Sequence, residues 1–244
     1  MASQRKIPPL DLPYWLLLIS ATVFGETGGD LLSQGLDLGY LVGTAIFLGL
    51  FFAAVSLQLW SRTEHPALYW LVILTTSTAG TTISDYLTRT LHLGYGGGAL
   101  LLLACLGAVF AAWRLGGHVL AQDGAVPLPT EALYWCGILV ASTLGTSFGD
   151  LIADASGLGF AGSSLLLAVL LVAVAVLQQF ITRQRELFYW AAIVIVHPVG
   201  ATAGDYLSKP TGLGLGPFWS SLILGLAFGA VVLGTVLTKR LPRK

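Results

Sequence analysis

The 244-residue chain is 55% hydrophobic and only 10% charged, and its mean hydropathy is +0.81. The charged fraction is less than half of the roughly 25% that is usual in soluble domains, which indicates an integral membrane protein. Twelve basic and twelve acidic residues give a net charge of zero, so the chain lacks the basic surface of a nucleic-acid-binding protein. Cys105 and Cys136 both fall in apolar stretches and are interpreted as packing residues, which predicts neither a disulfide framework nor a thiolate metal site.

Apolar stretches of membrane-spanning length follow one another along the chain and are separated by short polar turns. They predict eight transmembrane helices, at about residues 12–33, 40–61, 67–89, 96–114, 131–153, 160–182, 187–208 and 215–238. Consecutive helices pair into four helical hairpins, at about 12–61, 67–114, 131–182 and 187–238. A longer linker at about 115–130 separates two halves. The predicted fold class is therefore an all-α polytopic membrane protein with a single transmembrane domain over 1–244.

The four hairpins are copies of one repeat. Each copy begins with a Tyr-Trp pair whose tyrosine is Tyr14, Tyr69, Tyr134 or Tyr189. An Asp follows 16 residues later, and the Gly of a Leu-Gly pair follows nine residues after that Asp. Four matches at fixed offsets on both sides indicate a tandem internal repeat.

The positions of the basic residues predict the orientation of the chain. Ten of the twelve Lys and Arg residues lie at the termini or between hairpins, and only Arg89 and Lys209 lie in the turns within hairpins. The positive-inside rule then places both termini in the cytoplasm. All four hairpins enter the membrane with the same polarity, which predicts pseudo-fourfold parallel repeats, in two pseudo-twofold halves, about the membrane normal. Six Trp residues fall on the cytoplasmic side and are interpreted as lipid-interface anchors: Trp15, Trp60, Trp70, Trp113, Trp135 and Trp190.

The acids of the repeat are the main functional candidates, because an ionisable residue inside a span is costly and usually functional. The four repeated acids are Asp30, Asp85, Asp150 and Asp205. Glu26 lies one turn inward of Asp30, and His197 lies two turns inward of Asp205. Hydroxyl oxygens share the same helix faces and are expected as supporting ligands: Thr27, Thr81, Thr82, Thr146, Ser147 and Thr202. Small residues at four-residue spacing are expected to pack the odd-numbered helices closely around the centre: Gly25, Gly29, Gly80, Ser84, Gly145, Gly149, Gly200 and Gly204.

Oxygen donors of this kind suit a hard cation such as Mg²⁺, Ca²⁺, Mn²⁺ or an alkali ion, or protons. Arg89 and Lys209 lie four residues after Asp85 and Asp205 and are expected as charge partners. Asp30 and Asp150 have no base at that position, so Asp30, Asp150 and Glu26 are the predicted metal ligands. The ion would be a substrate, and no resident cofactor is expected. His197 is interpreted either as a hydrogen-bonded core residue or as a proton relay or ligand.

These residues favour a transporter or exporter of a hard cation, in which the ion is a metal ion, the transport is coupled to protons, or both. The alternative is a membrane scaffold or sensor partner in which the acids only lock the repeats together, and an ion channel is a variant of the first class. An enzyme is not expected, because the spans contain no nucleophile–base pair, no His-x-x-x-His and no phosphate-binding glycine loop. The sequence leaves the ion, the transport direction and the oligomeric state open.

The tandem Tyr-Trp, Gly-x-Thr-x-Gly-Asp and Leu-Gly pattern resembles a family of bacterial integral membrane proteins. That family is defined by a repeat of unknown function and is usually labelled "membrane-anchored protein". The resemblance covers about residues 12 to 238 and implies a multi-pass protein of the bacterial inner membrane. It departs at Ser84, which replaces a glycine in the second copy, and at Ala201 and His197-Pro198 in the fourth. It brings no substrate and no catalytic residue with it.

Overall fold

The computed structural model describes residues 8, 10–61, 65–120, 126–181 and 184–240, with side chains up to residue 235. Within these ranges the protein is all-helical and contains no strand. Its eight α-helices are α1 (Leu12–Asp30), α2 (Gly39–Trp60), α3 (Pro66–Asp85), α4 (Gly94–Leu115), α5 (Leu128–Ala155), α6 (Gly159–Phe180), α7 (Arg185–Ser208) and α8 (Gly216–Arg240). Two π-helical segments, Leu31–Gly35 and Tyr86–Thr90, continue α1 and α3.

The Leu-Gly pairs of the repeat mark the turns between helices. Gly39, Gly94, Gly159 and Gly214 have φ angles of +76°, +65°, +63° and +64°. This left-handed region is unfavourable for residues with a Cβ and readily adopted by glycine. The fixed position of this glycine in each copy therefore follows from the backbone conformation of the turn.

Six of the eight described helices are long and apolar enough to cross a membrane: α2, α4, α5, α6, α7 and α8. The sequence predicts eight spans, and α1 and α3 fall outside these six. Both are more polar than the others, since α1 carries Glu26 and α3 carries a run of hydroxyl residues from Thr75 to Thr78. These side chains are buried against neighbouring helices, so α1 and α3 need less apolar surface than a helix that faces lipid.

The odd-numbered helices form the centre, as the sequence predicts. Contacts run from α1 to α3, from α3 to α5, from α5 to α7 and from α7 back to α1, which makes a closed ring of four helices. The other four pack outside this ring, and their Leu, Val and Phe side chains are largely exposed. Such an apolar outer surface suits a lipid bilayer.

Each outer helix packs mainly against the central helix of the following repeat, and the outer helix of the last repeat packs against the central helix of the first. The main contacts of the outer helices are α2 with α3, α4 with α5, α6 with α7 and α8 with α1. The two helices of a hairpin contact each other less, and in the first two repeats these contacts are made by the π-helical segments that continue α1 and α3. The contact between α8 and α1 joins the last repeat to the first.

Glycine allows the central helices to approach closely. At each contact in the ring, one glycine of the repeat lies directly against a residue of the neighbouring helix: Gly25 against Ser77, Gly80 against Ser142, Gly145 against His197 and Gly200 against Thr22. An added Cβ would collide with the partner at all four places. A second level contains Gly29, Gly149 and Gly204, while Ser84 is hydrogen-bonded to Ser147 at 2.7 Å. At these positions a small residue lets the helix backbones approach closely.

The predicted lipid-interface role of the tryptophans is wrong for four of the six. Trp70, Trp113, Trp135 and Trp190 are buried, whereas Trp60 is exposed. The aromatic-belt rule considers only depth in the membrane, and these four side chains face neighbouring helices of the bundle instead.

Candidate functional site

Four buried carboxylates lie where the central helices approach their carboxyl ends. Asp30, Asp85, Asp150 and Asp205 are each no more than 5% exposed. The α-helical parts of α1 and α3 end at Asp30 and Asp85, and the π-helical segments begin at the next residue. Such segments often occur at functional sites, and here they hold the side chains of Gln34 and Arg89 beside the acids.

Three acids from two neighbouring helices form a compact cluster. Glu26 and Asp30 of α1 and Asp205 of α7 each have a carboxylate oxygen within 4.8 Å of the others, and all three side chains are buried. Asp205 is therefore the third member of the group in which the sequence predicts Asp150. The contact between the last and first repeats brings Asp205 to this position.

Glu26 connects three of the four central helices. Its Oε2 accepts a hydrogen bond from Thr81 Oγ1 of α3 at 3.0 Å and another from Thr146 Oγ1 of α5 at 3.1 Å. The two threonine oxygens are themselves 3.4 Å apart. Threonine occupies the position of Glu26 in the second and third repeats and Ala201 occupies it in the fourth, so one carboxylate faces two hydroxyls here.

Two bases contact three of the acids. Lys209 Nζ lies 2.6 Å from Asp205 Oδ2, and Arg89 Nε lies 2.7 Å from Asp85 Oδ1, which agrees with the predicted pairs. Arg89 Nη2 also lies 3.6 Å from Asp150 Oδ2, so the expectation that Asp150 lacks a base is wrong. The i,i+4 rule considers one helix only, and the neighbouring helix of the ring supplies this partner.

The remaining polar atoms of the cluster are incompletely paired. Asp30 Oδ1 accepts a hydrogen bond from the neutral amide of Gln34. The second oxygen of Asp205, Oδ1, is buried and has no hydrogen-bond partner among the described residues. Glu26 and the four Asp make five carboxylates, against the two bases Arg89 and Lys209. Full ionisation would thus leave three unbalanced negative charges in the bundle.

Among the described residues, two of the six predicted supporting hydroxyls contact an acid, namely Thr81 and Thr146. Thr27, Thr82 and Thr202 donate hydrogen bonds to carbonyls of their own helices. This satisfies their hydroxyl protons locally, as is usual for Thr within a helix. Ser147 pairs with Ser84 of the neighbouring helix.

His197 is buried at the crossing of α5 and α7, against Gly145. Its Nε2 has no hydrogen-bond partner in the described part of the chain. It lies two helical turns from Asp205 along α7 and is not a member of the three-acid group. Pro198 follows it inside α7, which continues as a helix to Ser208.

Four tyrosines form a second polar arrangement at the opposite end of the central helices. The hydroxyl oxygens of neighbouring tyrosines are separated by 2.9 Å from Tyr14 to Tyr69, 2.9 Å from Tyr69 to Tyr134, 2.7 Å from Tyr134 to Tyr189 and 3.1 Å from Tyr189 back to Tyr14. The four hydroxyls therefore close a ring, which we call the tyrosine ring. The repeat places each of these tyrosines 16 positions before its Asp, but this spacing alone predicts no function for them.

The tryptophan that follows each tyrosine packs against the tyrosine of the preceding repeat. Ring centroids are 5.5 Å apart for Trp70 and Tyr14, 5.4 Å for Trp135 and Tyr69, 5.8 Å for Trp190 and Tyr134, and 6.2 Å for Trp15 and Tyr189. These contacts explain why the Tyr-Trp pair repeats as a unit: Tyr supplies the ring and Trp joins it to the next helix.

Buried layers separate the tyrosine ring from the acids. One turn from the tyrosines on the same helix faces lie four aliphatic residues that are at most 1% exposed: Leu18, Ile73, Ile138 and Ile193. The next turn of the four helices carries Thr22, Ser77, Ser142 and His197. Glu26 and the equivalent residues of the other helices lie one turn further towards the acids. Because the tyrosines meet at one end and the acids at the other, the four central helices run in the same direction.

No curated protein and no solved structure matches the chain. The model of a family described as "Repeat of Unknown Function (DUF347)" matches it four times, at residues 13–64, 68–116, 133–184 and 188–241. These segments cover most of the chain and confirm the resemblance inferred from the repeated motif. The protein is therefore a four-repeat member of the DUF347 family.

Proposed function

We propose that the protein is a membrane transporter of a hard cation and that Glu26, Asp30 and Asp205 bind the ion. The observation that carries this proposal is the group of three buried carboxylates with oxygens within 4.8 Å of one another, contacted by one base among the described residues. Lys209 balances one charge and leaves a net charge of −2 when all three acids are ionised.

Electrostatics supports a bound cation or protons at this position. Isolated buried charges are costly in a low-dielectric interior unless they are paired, neutralised by protons or bound to a metal. Gln34 and the two threonines donate hydrogen bonds but bring no positive charge. The remaining −2 matches one divalent cation or two protons, and exchange between these two states would couple cation movement to a proton gradient.

The donor atoms support a hard ion. The three acids offer oxygen only, and Thr81 and Thr146, which donate hydrogen bonds to Glu26, add hydroxyl oxygens. Mg²⁺, Mn²⁺ and Ca²⁺ prefer such ligands, whereas soft ions prefer Cys and Met. The free cysteines, Cys105 and Cys136, lie on α4 and α5 and are exposed.

In the proposed arrangement the chain crosses the bacterial inner membrane eight times, with pseudo-fourfold parallel repeats and both termini in the cytoplasm. The distribution of Lys and Arg supports this orientation. The tyrosine ring then lies towards the cytoplasm and the acids towards the outside. A carrier is favoured over a channel, because the tyrosine ring and the aliphatic layer close the centre of the bundle.

A scaffold in which the acids act as locks is the second candidate, and the bridge formed by Arg89 favours it. Arg89 contacts Asp85 of α3 and Asp150 of α5, and thus joins two neighbouring central helices. Asp85, Asp150 and Arg89 thus combine two carboxylates with one base. We assign the locking role to these three residues and the ion site to Glu26, Asp30 and Asp205.

Purified protein in liposomes tests the transport function, with an internal dye for Mg²⁺, Mn²⁺ or Ca²⁺ and a second dye for pH. Asp205→Asn and Glu26→Gln should each reduce cation flux at least about tenfold, because each removes a charged ligand. Asp154→Asn is the matched control, since Asp154 is an exposed acid of α5. Unchanged flux in both site variants, or no flux of any cation in the unmodified protein, would refute the proposal and favour the scaffold.

A further inference from the structure

The tyrosine ring is satisfied by its own members. Each phenol hydroxyl has one proton to donate and can also accept, so four hydroxyls arranged in a cycle form four hydrogen bonds without any other partner. All four side chains are at most 3% exposed. The ring can therefore exist in a dry interior without leaving a buried donor unpaired.

The ring also blocks the centre of the bundle. Its neighbouring oxygens are in direct hydrogen-bond contact, which leaves no space between them for a hydrated ion. The next layer towards the acids consists of Leu18, Ile73, Ile138 and Ile193, which offer no polar atom to replace the water around an ion. An ion that moves between Glu26 and the tyrosine end must therefore pass two closed layers.

The ring can open without breaking a permanent link. Its hydrogen bonds are between neutral hydroxyls, which water can replace when the helices separate. Each tyrosine comes from a different central helix, so a small outward movement of any one helix breaks two of the four bonds. The charged bridges of Arg89 and Lys209 lie at the other end of these helices and do not oppose such a movement directly.

We propose that Tyr14, Tyr69, Tyr134 and Tyr189 are the gate of the transport path on the side opposite to the acids. The ion reaches or leaves Glu26, Asp30 and Asp205 through the tyrosine end only while the ring is open. This assignment rests on the proposed transport function and adds the residues that keep the path closed between transport steps.

Accessibility of a reporter cysteine tests the gate independently of transport. The background is Cys105→Ala with Cys136→Ala, and the reporter is Thr146→Cys, which lies beside Glu26 beyond both closed layers. A small cationic methanethiosulfonate is applied to the tyrosine side, in inverted membrane vesicles for the proposed orientation. Modification rates are normalised to the reaction of the denatured protein.

Two double variants separate gating from packing. Each removes two hydroxyls, but the two variants break different numbers of hydrogen bonds in the tyrosine ring. Tyr14→Phe with Tyr134→Phe breaks all four bonds of the ring, whereas Tyr14→Phe with Tyr69→Phe leaves the bond from Tyr134 to Tyr189. We expect the opposed pair to raise the modification rate at least about tenfold over the unmodified ring. The adjacent pair should react several-fold more slowly than the opposed pair.

Equal modification rates in the unmodified ring and in both pairs would overturn the gate and leave the ring as a packing element. If the opposed pair does not fold, Tyr14→Phe alone still breaks two bonds, and the absence of any increase in that variant would also overturn it. Accelerated modification in the ring variants, together with no cation flux through the unmodified protein in liposomes, would refute the transport function and leave the tyrosine ring as a barrier to access only. Normal flux with unchanged modification would refute the gate alone.

Discussion

Thr81 Oγ1 donates a hydrogen bond of 3.0 Å to Oε2 of Glu26, across the contact between α3 and α1. The same carboxylate oxygen accepts a bond from Thr146 of α5, so a single acid holds three helices of the ring. The second and third repeats carry these threonines at the position where the first carries Glu26. The first repeat thus differs from the second and third at the position where the Glu26 carboxylate meets the two threonine hydroxyls.

Glu26→Gln should separate the charge of this residue from its structural role. Gln keeps a carbonyl oxygen that can accept from Thr81 and Thr146, and it removes one of the three negative charges of the cluster. We expect a loss of divalent-cation affinity of about tenfold or more, with no loss of thermal stability, because a buried charge is removed. Titration calorimetry in detergent measures the affinity, and a thermal melt measures the stability.

The matched control for this substitution is Asp154→Asn, which removes the charge of an exposed acid of α5 outside the cluster. It should leave both cation affinity and thermal stability unchanged, because exposed charges contribute little to either. A Glu26→Gln protein that binds the cation with unchanged affinity would exclude Glu26 from the site.

Arg89→Gln should destabilise the fold more than Asp85→Asn does. Arg89 contacts both Asp85 and Asp150, so its loss leaves two buried carboxylates without a base, whereas Asp85→Asn leaves Asp150 as a partner for Arg89. Removal of one partner of a buried pair costs about 3–5 kcal/mol, and the lower end applies because the side chain of Arg89 is 34% exposed. Denaturant unfolding of the two variants in mixed micelles compares them.

A combined Arg89→Gln, Asp85→Asn and Asp150→Asn protein serves as the control for the arginine prediction, because it removes the base together with both acids. It should recover most of the stability lost in Arg89→Gln. If Arg89→Gln alone is as stable as the unmodified protein, the bridge between α3 and α5 contributes nothing.

Substitution of the crossing glycines should be far more damaging than substitution of an outer glycine. A Cβ on Gly80 would collide with Ser142, whereas a Cβ on Gly107 of α4 would meet nothing within 4 Å. Gly80→Ala should cost about 1–3 kcal/mol or prevent folding, because it overpacks a close crossing. Gly107→Ala should be neutral or stabilising by up to about 1 kcal/mol, since Ala favours the helix. Fluorescence-detected size exclusion after heating ranks the two, and equal melting behaviour would contradict the close crossing.

The periodic motif predicts much of this architecture, because repeated residues take equivalent places in equivalent helices. The fixed offsets place the four Asp at one level, and the four-residue spacing of Gly25 and Gly29 predicts the close crossings. The preference of the odd-numbered helices for the centre follows from the same spacing, because only they carry the repeated acids and this ridge of small residues.

The spacing of residues in the sequence does not predict the contacts between repeats. The bridge from Arg89 to Asp150 and the approach of Asp205 to Glu26 depend on the order of helices around the ring, and local spacing does not contain that order. The i,i+4 rule therefore predicts that Asp150 is unpaired. Similarly, position along the chain predicts Trp135 at a lipid interface, whereas packing against Tyr69 buries it.

Lys209→Met should make the stability of the protein depend on the cation. Lys209 is the base that contacts Asp205, and its removal makes the net charge of the ionised cluster more negative, from −2 to −3. Without the cation, the substitution leaves Asp205 unpaired and should lower stability by about 3 kcal/mol. A cation that binds the folded state stabilises it by mass action, by about 2.7 kcal/mol at a concentration 100 times Kd. Addition of Mg²⁺, Mn²⁺ or Ca²⁺ should therefore restore the melting temperature of Lys209→Met, and a Lys209→Met protein that also carries Glu26→Gln and Asp30→Asn should show no such recovery. Recovery of both proteins by the same cation would place its binding outside the cluster.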